Sequence, residues 1–282
     1  MPSPCPQTPA RAFVRASLGY IQPGTERPVN YMFEPPAGLP RESAAVDLRM
    51  VSIQQSRGSG VALDREGFEL WEAPSQVRDF DDADEVRRVY HAECVALALH
   101  LTGGRRALVF DHLLRRREPG RPQLALGRPG DGRAPSGNGR VHNDYSEASG
   151  QRRLSLVLPD AAERRELGRF CILNFWRSIK GPVVDTPLAV CDARSVQAGD
   201  LVASEIRYLD RLGEIYQCTH APAHRWHYFA EMDRHEVLVF KQYDSQASGV
   251  SRFTPHAAFD LPDVPQDAPL RESIEARCLV LF

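Results

Sequence analysis

The sequence predicts a mainly β fold, an antiparallel sandwich or jelly roll, and three observations carry that expectation. Short runs rich in aromatic and β-branched residues recur in the second half, at 170–176, 188–191, 226–229, 237–243 and 274–282. Turns containing Pro and Gly separate them. One strong helical pattern stands among them, with no strand–helix–strand rhythm of a parallel sheet and no internal repeat.

Taken in order, residues 1–45 are rich in Pro and Gly, with short apolar pieces at 13–14 and 31–33. They read as an arm lying over a core, carrying one or two strands. Over 46–56, Val46, Leu48 and Met50 alternate and Val51 and Ile53 follow out of phase, which predicts a strand with a bulge. Gly58 and Gly60 predict a turn before a short strand near 63–70.

Asp81, Asp82 and Asp84 open the clearest helix, since acidic side chains favour the positive end of a helix dipole. Val86, Val89, Tyr90, Leu97 and Leu101 follow at helical spacing, and Gly103 and Gly104 end it. This helix reads as packing. Residues 107–110 read as a buried strand. The basic, Gly- and Pro-rich run 115–140 reads equally as a lid or as a solvated insertion. A short helix is expected at 160–168, with Asp160 early and Gly168 at its end.

A chain of 282 residues buries a sizeable core. The expected organisation is one domain over 1–282, with arm, helix and lid in 1–140 and the jelly-roll core in 141–282. A net charge of −2 gives no reason to expect nucleic acid or an anionic membrane surface as partner. No apolar run is long enough to span a membrane, and the first residues lack a signal-peptide core. Cys5, Cys94, Cys171, Cys191, Cys218 and Cys278 are scattered without a C-x-x-C pair. A cytoplasmic protein with reduced thiols is expected; oligomeric state is not legible.

The chemistry centres on 141–146. His142 and Asp144, two apart on an extended segment, face the same side. They make two-thirds of a facial triad, the ligand set of non-haem Fe(II) oxygenases, with a third ligand due from elsewhere. Candidates are His220, His224, His227, His235 and His256. His220 and His224 mimic a helical zinc pair, but Pro222 lies between them and no Glu follows His220. His224 and His227 flank a Trp-containing strand and read as packing or pocket residues, and His235 reads as a turn. His256 is followed by Arg271 and Ser273 at the start of an apolar strand. Two apart, their guanidinium and hydroxyl face one way and suit a carboxylate. A surface ion pair of Arg271 with Glu272 or Glu275 is the competing reading, and the His-x-Asp pair disfavours it.

On these residues the second half resembles the 2-oxoglutarate/Fe(II)-dependent oxygenase superfamily. The similarity is to the branch of fungal gibberellin-desaturase-like proteins, fungal secondary-metabolite hydroxylases and the bacterial cephamycin hydroxylase component. The matching segments run in order at 141–145, 174–177 with 180–182, 187–195, 224–229, 240–245, 254–259 and 271–277. The resemblance implies a double-stranded β-helix (cupin-type jelly roll) with flanking helices. It implies that His142, Asp144 and His256 bind Fe(II), and that Arg271 with Ser273 holds the distal carboxylate of 2-oxoglutarate. Arg277, on the same strand face, is a second candidate clamp. O2 would be the other co-substrate, succinate and CO2 the co-products, and a small natural-product intermediate the molecule hydroxylated, desaturated or cyclised. Tyr145, Asn174, Trp176, Arg177, Arg225 and Tyr228 are pocket candidates by position, and Asp192 with Arg194 reads as a structural turn. Three rivals stand beside this reading: an Fe(II) oxidase that does not use 2-oxoglutarate, a metal-free jelly-roll binding protein, and the zinc hydrolase on His220 and His224.

Overall fold

A computed structural model describes residues 3–4, 12–117 and 137–282. Its strands are β1 (Ser3–Pro4), β2 (Phe13–Ile21), β3 (Val29–Tyr31), β4 (Val46–Gln55), β5 (Phe68–Glu72), β6 (Arg106–Arg116), β7 (His142–Asn143), β8 (Phe170–Ser178), β9 (Leu188–Cys191), β10 (Leu201–Arg207), β11 (Leu212–Cys218), β12 (Trp226–Tyr228), β13 (Glu236–Asp244), β14 (His256–Ala258) and β15 (Glu272–Leu281). Among the described residues they form two sheets. The smaller has the order β1-β5-β13-β8-β15-β6, and the larger β2-β4-β12-β9-β14-β7-β11-β10-β3.

Every residue of β8 and β13 is buried, because both faces of the smaller sheet are covered. Strand alternation allots the sides. Cys171, Leu173 and Phe175 of β8 pack outward, in the cluster that holds Tyr90, Cys94 and Leu97. Trp176, Leu238 and Phe240 pack inward against Leu188, Val190 and Phe229 from the larger sheet's side. On β15, Ile274, Ala276, Cys278 and Val280 face out, leaving Ser273, Glu275 and Arg277 for the space between the sheets.

The expected helix is present as α1 (Ala83–Glu85), a π turn (Val86–Tyr90) and α2 (His91–Thr102). Asp82 caps it by accepting from the amides of Asp84 and Glu85, and Gly103, at φ 67°, ends it in the left-handed region. Among the described residues no helix is long and apolar enough to cross a membrane. The five described cysteines are free and buried; Cys5 lies outside the described residues.

Several elements differ from expectation. The segment read as an arm supplies β2 and β3 to the larger sheet, and β2 pairs with β4 along its whole length. Val14, Ala16, Leu18 and Tyr20 are its buried face, an alternation diluted in the sequence by small Ala16 and by Ser17 and Gly19 opposite. An unexpected helix α3 (Glu147–Val157) begins directly after the His-x-Asp segment, capped by Ser146 and Ser149; α4 (Ala161–Arg165) follows where a short helix was expected. The β10–β11 hairpin was also unforeseen, since its residues are only partly buried and lack a clean alternation. Of the 115–140 run, residues 118–136 lie outside the described residues.

Candidate metal centre

β7 is only two residues long, because the chain must turn into α3 at Ser146. The residue between the two predicted ligands holds that turn. Asn143 is fully buried, and its Nδ2 donates to the carbonyls of Tyr145 and Gln242, both at 2.7 Å. Its Oδ1 accepts from the Thr254 amide at 3.0 Å. One amide side chain thus ties together the turn carrying Asp144, strand β13 and the approach to His256. Gln242 sits where the β13–β8 register shifts, and the bulge turns its side chain to the centre. Its Oε1 accepts from the Asp144 amide at 2.7 Å, and its Nε2 donates to the Thr254 carbonyl at 3.2 Å.

β14 pairs with β7 so that His256 lies opposite His142, ring centroids 4.3 Å apart. One ligand atom each from His142, Asp144 and His256 then lies within 4.8 Å of the others, the sole group of this kind among the described residues. His142 Nδ1 donates to the Arg140 carbonyl at 2.8 Å and His256 Nδ1 to the Thr254 carbonyl at 3.3 Å, which turns both Nε2 atoms toward the centre. Asp144 Oδ2 accepts from Arg277 Nε at 2.8 Å and Asn174 Nδ2 at 2.9 Å. Its Oδ1 lies 3.4 Å from His142 Nε2 and is left for a metal.

Burial pushes the Asp144 carboxyl up, but the Arg277 guanidinium, with His142 and His256 beside it, outweighs burial and holds it well below the usual carboxylate range. Burial, then the neighbouring His142, pushes His256 down to about 3. An ionised carboxylate and a neutral imidazole are the forms that ligate metal. Two imidazoles and one carboxylate on one side of a cavity fit Fe(II) with open positions.

Arg271 has a different setting. It is 4% exposed; its Nη1 donates to the Thr186 carbonyl at 2.7 Å, while among the described residues its Nε and the Ser273 hydroxyl have no partner. The guanidinium lies 5.7 Å from the Trp176 ring centre. Burial, then Arg115, pushes it down to about 10. Gly137 is required beside it, because a Cβ there would lie 2.3 Å from Arg271 Nη2. Arg115 lies opposite Ser273 across the β6–β15 pair and acts on both His256 and Arg271. A cavity of about 450 Å³ opens from His142, Asp144 and Arg277 between Met32, Leu113, Arg115, Asn138, Ile206 and Tyr208. A larger cleft of about 590 Å³, near Arg194, Tyr216 and Phe253, holds none of the three ligand residues.

The other predicted site residues divide. Asn174 reaches Asp144, Trp176 lies under Arg271, and Tyr145 lines an adjoining space that shares Asp144 and Arg277. Arg277 is not a spare clamp, because Nε, Nη1 and Nη2 are committed to Asp144, Asp111 and Glu275. Arg177 leaves the site altogether: one residue past Trp176 on a strand, it points to the outer face and donates to the carbonyls of Arg234 and Ala73. Arg225 pairs with Asp192, as does Arg194, around the turn that Asp192 caps. Tyr228 packs edge-on to Phe259 in the core. His224 is held by Asp200 and His227 by Ser56, so neither joins the centre and the zinc pair finds no third ligand among the described residues. Sequence reasoning missed Arg115, Asn138, Asn143 and Gln242. Only Asn143 carried a signal, its place between two ligands.

Two facing sheets around a two-histidine, one-carboxylate centre, beside a buried guanidinium with a free donor, define a jelly-roll metalloenzyme class. Comparison with known proteins gives the particular family. A family model described as "Oxidoreductase/YMDC permease-like domain" matches residues 18–281. Hydroxylase/desaturase CTB9 of Cercospora beticola is 33% identical over 259 residues, 84% of this chain and 77% of its own length. The Fe(II)/2-oxoglutarate-dependent dioxygenase nvfI of Aspergillus novofumigatus is 28% identical over 282 residues, covering 96% of this chain and 98% of that protein. A solved structure of the iron and alpha-ketoglutarate-dependent endoperoxidase NvfI matches with TM-score 0.83 and 26% identity, over 96% of this chain and 99% of that one. The chain belongs to the Fe(II)/2-oxoglutarate-dependent oxygenases, in the branch of fungal secondary-metabolite hydroxylases and desaturases. Fe(II), 2-oxoglutarate and O2 are the metal and co-substrates of that family.

Proposed function

We propose that His142, Asp144 and His256 hold Fe(II), that Arg271 with Ser273 holds the distal carboxylate of 2-oxoglutarate, and that the chain hydroxylates, desaturates or cyclises a small natural-product intermediate. The observation that carries the reading is the convergence of three ligand atoms within 4.8 Å, the two imidazoles buried and the carboxylate partly so. Bound iron, with the keto acid and O2, supplies the oxidising chemistry, and succinate and CO2 leave as co-products. The chain's own residues do the rest. Arg277 and Asn174 hold the second oxygen of Asp144, which leaves the first as the one that would meet a metal. Met32, Leu113, Ile206 and Tyr208 offer apolar walls to a small organic substrate rather than to nucleic acid or a membrane. The same reading takes 1–282 as one domain, since β2 and β4 extend the sheet that carries His142 and His256, and keeps the cytoplasmic location expected from the sequence.

The test is an anaerobic titration of the purified chain with Fe(II) and then 2-oxoglutarate. A charge-transfer absorption band should appear on keto-acid chelation, followed by succinate release when O2 is admitted. Asp144→Ala should abolish both. O2 uptake without succinate would identify an oxidase independent of 2-oxoglutarate; an undiminished band in a His142→Ala/His256→Ala double variant would sink the ligand assignment.

A further inference from the structure

On the outer face of the smaller sheet, α2 and the ends of β5, β8 and β13 enclose a second cavity of about 440 Å³. Strand alternation sets it back to back with the metal centre, since Asn174 and Trp176 point one way and Phe175 and Arg177 the other. Its walls are mostly apolar, with Phe175 and Val237 from the sheet, Cys94, Ala96 and Leu97 from α2, and Pro74 at the mouth. Its volume is within the range of roughly 300–1,000 Å³ that small-molecule sites occupy.

One feature of this cavity is not explained by packing. Arg177 lines it, is 2% exposed, and donates only to backbone carbonyls, those of Arg234 and Ala73. Among the described residues its Nε has no acceptor and no carboxylate pairs with it. Arg57, by contrast, pairs with Glu236, and Arg277 with Asp144 and Glu275; among the described residues Arg271, in the other cavity, is the other buried guanidinium that pairs with no carboxylate. Tyr90, whose ring lies 5.5 Å from the Arg177 guanidinium carbon, adds a buried hydroxyl whose neighbours are Arg177 and the Cys94 thiol. Glu93, the acid in the wall, turns its carboxylate to Ser75 Oγ at 2.6 Å and the Gln76 amide at 2.7 Å. Tyr90 also closes the π turn of Val86–Tyr90, an irregularity that recurs at functional sites.

A buried positive charge satisfied only by neutral carbonyls is costly, and an anion from outside would relieve it. A guanidinium donor without an acceptor, a hydroxyl beside it and apolar walls suit the two oxygens and the tail of one molecule. We propose that this cavity binds an amphiphilic monocarboxylate, its carboxylate on Arg177 and Tyr90 and its hydrocarbon along Phe175, Leu97 and Val237. The site is separate from the iron site and does not depend on the function proposed above.

The probe is octanoate, with 1-octanol as the uncharged control of equal tail length, titrated calorimetrically into the full chain. Octanoate should bind saturably and about tenfold or more tighter than octanol, the value of a charge-assisted contact. Arg177→Met should remove that preference, and Ala96→Phe, which sets a ring at the exposed edge of the cavity, should remove octanoate binding. Arg271→Met, in the other cavity, should leave it unchanged. Equal binding of octanoate and octanol, octanoate binding retained by Ala96→Phe, or its loss in Arg271→Met would each overturn the proposal. Should Arg177→Met not fold, the octanol control and the two remaining variants still decide it.

Discussion

Arg271 and Arg277 lie on the same face of one strand, both deeply buried, yet their surroundings differ in kind. Arg277 spreads its nitrogens over three carboxylates, Asp144 at 2.8 Å, Asp111 at 3.0 Å and Glu275 at 2.6 Å. Burial alone pulls its pKa down, but Asp144 and Glu275 outweigh it and raise it well above the usual value. Arg271 meets one carbonyl, and burial with Arg115 nearby pushes it down to about 10. A guanidinium whose charge is matched within the chain serves the chain: here it fixes Asp144, a proposed metal ligand. One left unmatched is where we propose that an anion from outside sits. Arg177, with carbonyls only, is the same sign on the other side of the sheet.

The comparison breaks most visibly at Arg277. Arg277→Met leaves Asp144 and Glu275 buried without their cation, and the chain should lose about 3–5 kcal/mol of stability in denaturant unfolding. Next comes acid. His256 is held at about 3 in the folded chain, against an ordinary 6.5, so the folded state refuses a proton that the unfolded state accepts. Its contribution to stability is complete above about 6.5 and is lost as pH falls toward about 3, with a slope of up to about 1.4 kcal/mol per pH unit. Unfolding of the metal-free protein across that window should show the slope, and His256→Gln should flatten it. The smallest effect on stability is expected at Arg271. Arg271→Met removes an uncompensated charge, so unfolding should shift by less than about 1 kcal/mol, while the apparent KM for 2-oxoglutarate should rise about tenfold or more. If Arg271→Met proved the more destabilising of the two arginine variants, the contrast between matched and unmatched charge would be reversed.

Much of this centre was legible before any coordinates. His142 and Asp144 are two apart, and Arg271 and Ser273 are two apart, so local geometry alone puts each pair on one side. The same parity sets Asn174 with Trp176 and Arg177 against them, so expecting Arg177 in the pocket by position alone was an error of face. α3 was missed because Glu147–Val157 is largely polar and its cap pairs Ser146 with Ser149 instead of an acid. Gln242 was beyond reach because a bulge is a property of two paired strands, and Asn143 because its three partners come from distant segments.

By itself the sequence determined the strand-rich periodicity, the acid-capped helix and the two adjacent ligands, since each depends on residues within a turn or two of one another. Only the tertiary structure decided that His256, rather than His224 or His227, completes the centre, and that Arg277 is matched while Arg271 is not. Those outcomes hang on which strands pair and in what register. Register is set by the burial of whole faces, a long-range balance that no local pattern carries.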